Sequence, residues 1–251
     1  MFIESSVMDA VLRRYEKEGL MDEEVLLTGG RVTAEVVRKG NLIYRSMCKN
    51  SFFVHQVLRF LEKNEVACAP KYWGIDEKNR EMLDYIDGTV PDNLGMFSTK
   101  QCCQAVQIIK RLHACLHQFP QCPEGLTVCH NDLSPCNFVF RDEHPIAVID
   151  WDAAAFGHPL DDLAYAVWMW LDIGNEAYSN TFIKARMEAM LDAYGVPAKE
   201  RSSFGQRMFR QMERVGRAVF PTEEQTNATR LWTERCRIWL KAFWENCYGG
   251  F

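Results

Sequence analysis

The stretch His130-Asn131-Asp132-Leu133-Ser134-Pro135-Cys136-Asn137, running on through Phe138-Val139-Phe140 and, after a polar connection, into Ile146-Ala147-Val148-Ile149-Asp150-Trp151-Asp152, decides how this chain is read. It sets Asp132, Asn137 and Asp150 around two short apolar runs. Phosphoryl transfer needs a carboxylate to receive the proton of an attacking hydroxyl, and oxygen ligands that hold magnesium against nucleotide phosphates. Asp132 suits the first task, and Asn137 with Asp150 the second.

The geometry follows from pattern. Phe138 to Phe140 and Ile146 to Ile149 are β-prone, and Arg141-Asp142-Glu143-His144-Pro145 between them is polar and ends in proline, as a hairpin connection should. A hairpin brings Asn137, just before the first strand, close to Asp150, just after the second, so that both converge on one metal. Asp132 lies in the preceding loop, which Pro135 is expected to keep from becoming helical.

His130-x-Asp132 with Asn137, then Ile149-Asp150-Trp151-Asp152 and Pro159-Leu160-Asp161-Asp162-Leu163-Ala164, resembles the aminoglycoside phosphotransferase family, taken broadly as protein-kinase-like small-molecule kinases that include choline kinase relatives. The resemblance runs from about Leu26 to the Asp162 helix and more loosely over the tail. It implies that His130 supports the loop without touching substrate. Asp152 is open between a second metal contact and a hydrogen-bonded structural carboxylate. Asp161 and Asp162 precede the apolar run Leu163 to Leu171, so they read as helix caps.

Working outward, Val7 to Leu20 has helical spacing. Val25-Leu26-Leu27, Val32 to Val37 and Leu42 to Tyr44 read as three antiparallel strands, broken by Thr28-Gly29-Gly30 and Lys39-Gly40-Asn41. Gly29 and Gly30 stand where backbone amides would approach phosphates closely, and equally suit an ordinary hairpin turn. Ser51 to Lys63 is a helix with a stripe of Phe53, Val57, Leu58 and Leu61, followed by strands Tyr72 to Ile75 and Glu81 to Ile86. By resemblance, Asp84, Tyr85 and Ile86 are where an adenine would meet the backbone. Ser98 and Gln101 form a capping box that opens a long helix, and helices follow the catalytic block: Thr181 to Tyr194, Arg201 to Val215 and Thr226 to Tyr248.

One position departs from the family. Its strand lysine, which holds the phosphates and pairs with a glutamate on the next helix, is replaced by Arg45, and that helix carries only Glu62, near its far end. Arginine still binds phosphate through a bidentate fork, so Arg45 is read as a phosphate contact; the alternative is a surface strand residue.

Composition bounds the rest. The 251 residues, 47% hydrophobic, suffice for one sizeable core or two lobes, without repeats or low-complexity tracts. No apolar run approaches a membrane span and the N-terminus does not read as a signal peptide, so no membrane partner and a cytoplasmic location are expected. The net charge of -5 disfavours a nucleic-acid partner. Ten cysteines with no Cys-x-x-Cys pair read as free thiols rather than as a zinc site drawn from Cys115, His117, Cys122, Cys129, His130, Cys136 and His144. The acids Asp172, Glu176, Glu213, Glu223, Glu224 and Glu234 read as a solvated face before a pocket for a cationic acceptor, and the tail tryptophans as core.

The expected fold is α+β, two-lobed and protein-kinase-like: a small antiparallel nucleotide-binding lobe over 1–86 and a mostly helical catalytic and acceptor-binding lobe over 87–251. The expected reaction moves the γ-phosphoryl of ATP or GTP, with Mg2+, to a hydroxyl of a small molecule, aminoglycoside-like or other, cationic ones included. The alternatives are a catalytically silent kinase-like binding protein and a zinc-containing structural or redox protein. Acceptor identity and oligomeric state are not legible in the sequence.

Overall fold

The computed structural model describes residues 24–27, 36–95 and 97–250. The expected helix from Val7 to Leu20, Gly29, Gly30 and the start of the second expected strand lie outside them. Contacts divide the chain into a smaller unit, 1–49 with 70–86, and a larger one, 50–69 with 87–251.

The smaller unit is an antiparallel sheet in the order β1-β2-β3-β5-β4. Its strands are β1 (Val25–Leu27), β2 (Val36–Lys39), β3 (Leu42–Ser46), β4 (Tyr72–Ile75) and β5 (Arg80–Asp84). Gly40, at φ 59°, takes the left-handed conformation that the tight β2–β3 connection requires. The β3–β5 register pairs Tyr44 with Met82 and Arg45 with Glu81. Met82 and Leu83 supply the buried apolar side chains of β5.

The larger unit begins with α1 (Ser51–Lys63). The sequence had grouped this helix with the sheet, but its own contacts explain its grouping with the larger unit. Phe53 and Phe60 meet Phe119 edge-on, with centroids 5.7 and 5.3 Å apart. Asn50, at the head of the helix, makes no side-chain cap; its Nδ2 instead donates to the carbonyls of Asp152 and Ala154, each at 2.9 Å.

The long helix α2 (Thr99–Leu116) opens with the expected capping box of Ser98 and Gln101. Its buried face carries Val106, Ile109, Leu112 and Leu116. After it come β6 (Thr127–Cys129), a 3-10 turn (Pro135–Asn137), β7 (Phe138–Arg141), β8 (His144–Val148) and β9 (Ala155–Gly157). β6 pairs with β9, and β7 with β8, both antiparallel. Pro135 therefore starts a helical turn where none was expected; as its first residue it needs no N–H partner. The hairpin is also tighter than expected: Asp142 and Glu143 alone make the turn, both at positive φ, and Pro145 lies inside β8 beside a register shift.

The remaining helices are α3 (Pro159–Trp170), α4 (Asn180–Tyr194), α5 (Ala198–Arg201), α6 (Phe204–Gly216) and α7 (Glu223–Tyr248). From Leu163 to Trp170 α3 is apolar and buried on every side, with Trp168 and Trp170 in the core. α6 and α7 dock closely because two positions lack a side chain. A Cβ on Gly205 would lie 2.5 Å from the Trp244 ring, and one on Gly216 2.5 Å from Thr233 Oγ1. That docking fixes the face of α6 that meets the catalytic loop.

Candidate active site

The loop after β6 is built around a buried carboxylate. Asp162, on the first turn of α3, is 2% exposed and accepts the backbone N–H groups of His130 and Asn131 at 2.8 Å each. It also accepts from His113 Nε2 on α2 at 3.0 Å, and His113 Nδ1 meets the Tyr194 hydroxyl at 2.8 Å. Burial holds the Tyr194 phenol well above its ordinary range, with the charge of Asp162 adding to the effect, so the hydroxyl keeps its proton and donates. The chain then runs in one direction, from Tyr194 through His113 to Asp162, with the imidazole protonated on Nε2. Burial alone would raise the Asp162 pKa, but the hydrogen bond from His113 and then the backbone N–H of His130 outweigh it and hold the carboxyl below its usual range.

Asp162 is therefore no helix cap, contrary to the sequence reading. His158 is the cap, its Nδ1 accepting from Leu160 N at 3.1 Å, and Asp161 pairs instead with Arg207 at 2.7 Å.

His130 carries the loop forward. Its ring is buried, lies edge-on to Trp151 with centroids 4.8 Å apart, and its Nε2 donates to Ile149 O at 3.0 Å. Its Nδ1 accepts the N–H of Asp132 at 3.3 Å. Asn131 between them is at φ 65°, a left-handed position that asparagine tolerates. Three of its polar groups are engaged: N–H on Asp162, Nδ2 on Ala153 O at 3.0 Å, and O under Arg214 Nη2 at 2.9 Å.

Both oxygens of Asp132 hold a donor. Asn137 Nδ2 reaches Oδ2 at 2.9 Å and the Asp132 carbonyl at 2.8 Å, and the Tyr165 hydroxyl reaches Oδ1 at 2.6 Å. Burial, then the charge of Asp132, push the Tyr165 phenol well above its ordinary range, so it remains a donor. With Nδ2 committed to Asp132, Asn137 keeps its amide oxygen for another partner. The hairpin does bring Asn137 to the Asp150 end: Ile149 N donates to Asn137 O at 2.9 Å, and Asp150 follows at φ 62° with its side chain exposed. An amide oxygen and a carboxylate are the hard donors that magnesium takes, so this set fits the ion.

In the smaller unit Arg45 is not the surface residue that one reading allowed. It is 7% exposed, and its Nε donates to Glu81 Oε1 at 2.5 Å, with Glu81 only 1% exposed. Glu81, missed in the sequence, thus gives the strand cation a carboxylate partner on the neighbouring strand, whereas the family pattern takes one from the next helix. Of the expected adenine contacts, Asp84 N donates to Lys71 O at 3.0 Å and Tyr85 N to Asn41 O at 2.8 Å. The Asp84 carboxylate accepts Trp73 Nε1 at 2.6 Å. The N–H groups of Asp84 and Tyr85 are thus spent on the sheet.

The cysteines are free. The crowded set from the sequence does not converge: His117 Nδ1 sits on Ala114 O and His144 Nδ1 on Gln104 Oε1. Among the described residues the group with ligand atoms in reach of one another is His113, Cys129 and Asp162. A proton, not a cation, joins two of these, and no water-sized space opens beside His113 and Asp162. Burial and then the charge of Asp162 drive the Cys129 thiol far up, so it is no thiolate ligand. Two of the six acids near the tail are paired with arginines: Glu213 lies 3.8 Å from Arg217 and 3.7 Å from Arg237, and Glu234 also contacts Arg237.

Residues 107–198, which contain the whole His130 block and Asp162, match the model of the phosphotransferase enzyme family, APH. A trifolitoxin immunity protein from Rhizobium leguminosarum bv. trifolii is 27% identical over 239 residues, covering 84% of this chain and 91% of that protein. Among solved structures, a microcompartment-associated aminopropanol kinase aligns with a TM-score of 0.63 at 14% identity, covering 94% of this chain and 98% of that one. An amicoumacin kinase in complex with AMP-PNP, Ca2+ and Ami aligns with a TM-score of 0.60 at 10% identity, covering 94% and 96%. The fold is kinase-like, and the resemblance carried by the His130 block is found independently by the family model.

Proposed function

We propose that this chain is a phosphotransferase that moves the γ-phosphoryl of ATP or GTP to a hydroxyl of a small molecule. The observation that carries this is the Asp132 carboxylate, fixed by Asn137 on one oxygen and Tyr165 on the other, within a loop tied to Asp162. A general base of this kind must be held still and within hydrogen-bond reach of its proton. Asp132 orients the acceptor hydroxyl and takes its proton as the oxygen–phosphorus bond forms and the γ-phosphorus parts from the bridging oxygen of the departing diphosphate. Asn137, through its amide oxygen, and Asp150 would hold Mg2+. When bound, that ion neutralises charge on the phosphates.

Arg45 would steady the phosphates and Glu81 would hold Arg45, with Gly29, Gly30 and the Asp84 to Ile86 segment meeting the nucleotide. No helix among the described residues is long and apolar enough to cross a membrane. A cytoplasmic location, where nucleoside triphosphates are abundant, suits this activity. In the test, the protein is given Mg·ATP or Mg·GTP with hydroxyl acceptors, and transfer is followed by mass spectrometry. Asp132→Asn should cut turnover by on the order of 10³-fold with the fold intact. Unreduced transfer by that variant would sink the assignment.

A second reading is favoured by Arg45 in the lysine's place and by the relative named for immunity. Here the chain would be a catalytically silent kinase-like protein that holds a nucleotide or another ligand without turnover. Magnesium-dependent nucleotide binding with no transfer to any acceptor would support it.

A further inference from the structure

Arg214 projects from α6 onto the catalytic loop and stays exposed at its tip. Its Nη2 donates to Asn131 O, the carbonyl immediately before Asp132, at 2.9 Å, and its Nε donates to Gln211 Oε1 at 2.9 Å. The guanidinium carbon stands 5.6 Å from the ring centroid of Tyr165, the side chain whose hydroxyl holds Asp132 Oδ1. A permanent positive charge is thereby fixed beside the base with donors to spare, since a guanidinium offers five and two are engaged.

Its neighbours on the same helix are neutralised. Arg207 pairs with Asp161 at 2.7 Å, Arg210 approaches Asp161 at 3.8 Å and Arg217 approaches Glu213 at 3.8 Å. Among the described residues Arg214 has no carboxylate within ion-pair distance. Its partners are neutral amide oxygens and an aromatic face. Three carboxylates of this region are meanwhile engaged, Glu213 and Glu234 by arginines and Asp161 by two of them. A polycation bound to those three would have to displace their arginines, and beside Asp132 it would meet Arg214.

We propose that Arg214 receives a carboxylate of the acceptor, so that the hydroxyl substrate of this site is a carboxylate-bearing small molecule rather than a polyamine. The fork geometry of a guanidinium matches a carboxylate through two parallel hydrogen bonds, and the exposed edge of Arg214 is placed to make them. A carboxylate there sits one residue from Asp132, close enough for a short hydroxy acid to present its hydroxyl to the base. This rests on the phosphotransfer reading of the same site.

The test uses matched probes: glycerate, homoserine, glycerol, 1-amino-2-propanol and kanamycin. Each is offered to the wild type, Arg214→Gln and Arg214→Lys, with acceptor-dependent turnover of Mg·ATP and Mg·GTP and calorimetric binding as readouts. Glutamine can still donate to Asn131 O, so it separates the charge from the brace. A carboxylate-bearing probe should lead its neutral counterpart by roughly tenfold, the size of one charge-assisted hydrogen bond. That lead should vanish in Arg214→Gln and survive in part in Arg214→Lys. A lead by kanamycin or the amino alcohol, a carboxylate preference unchanged in Arg214→Gln, or no binding by either carboxylate probe would each overturn the proposal. Nucleotide binding in the same samples keeps the failures apart. Mg·nucleotide bound without either carboxylate probe removes the Arg214 assignment alone, whereas no nucleotide binding at all removes the phosphotransfer reading.

Discussion

The two regions to which the proposed chemistry is assigned are held by different means. In the smaller unit, Arg45 is fixed by a buried ion pair between adjacent strands, Glu81 standing opposite it in register. In the larger unit, the catalytic loop hangs from a hydrogen-bonded chain drawn from four places: Tyr194 on α4, His113 on α2, Asp162 on α3 and the backbone of the loop itself. The first is a single ion pair across two strands, and the second spreads the load over several elements. The base is thus over-determined, while the cation expected to meet the phosphates has been exchanged for another residue type and given a new partner. Support from several elements for the Asp132 loop and from one strand pair for Arg45 is the lesson of the contrast.

Three substitutions break or sharpen the contrast. The largest effect should come from Asp162→Ala, which strips two backbone N–H groups and an imidazole of their acceptor. It should cost about 4 kcal/mol in urea unfolding and silence transfer. The same carboxylate sets a pH dependence. Its pKa is depressed in the folded chain, so the unfolded chain binds more protons as acid is added. The stability it confers is complete above the ordinary carboxylate range and is lost as pH falls through the depressed folded value, so Asp162→Asn should flatten the acid limb of the stability profile. An unchanged acid limb would show that the chain is not what holds the loop.

Next, Glu81→Ala removes the carboxylate that holds the buried Arg45 guanidinium. It should cost about 3 kcal/mol, while the double variant with Arg45→Met recovers most of that loss. Simple additivity would mean that the pair is not the local support. The smallest effect belongs to Tyr165→Phe. Loss of a single hydrogen bond should cost about 1 kcal/mol of stability and roughly tenfold in turnover, with nucleotide affinity unchanged. A turnover loss as deep as that of Asp132→Asn would promote Tyr165 from a positioning residue to part of the chemistry.

The contrast also marks what the sequence could tell. The hairpin, the helix from Ser51 to Lys63 and the Ser98–Gln101 capping box were legible because each is a local pattern of turn residues, apolar spacing or cap chemistry. So was the approach of Asn137 to the Asp150 end, since a short hairpin leaves no other arrangement. Glu81 was not legible, because strand register across a long connection decides which residue faces Arg45. His113, Tyr165 and Tyr194 are brought in by tertiary packing, which spacing does not report. Asp162 did leave a signal. Of the two adjacent aspartates, Asp162 is the one next to the run that is buried on every side, and a buried carboxylate requires partners. Reading it as a cap overlooked that requirement.

The division of labour between a base and a metal-holding pair is tested most directly by nucleotide affinity in the presence and absence of Mg2+, measured for the wild type, Asp132→Asn and Asp150→Asn side by side. Asp132→Asn should bind Mg·nucleotide as the wild type does, whereas Asp150→Asn should lose at least roughly tenfold of the magnesium-dependent affinity. Equal losses in both variants, or none in Asp150→Asn, would contradict the assignment of Asp132 as base and Asn137 with Asp150 as metal ligands.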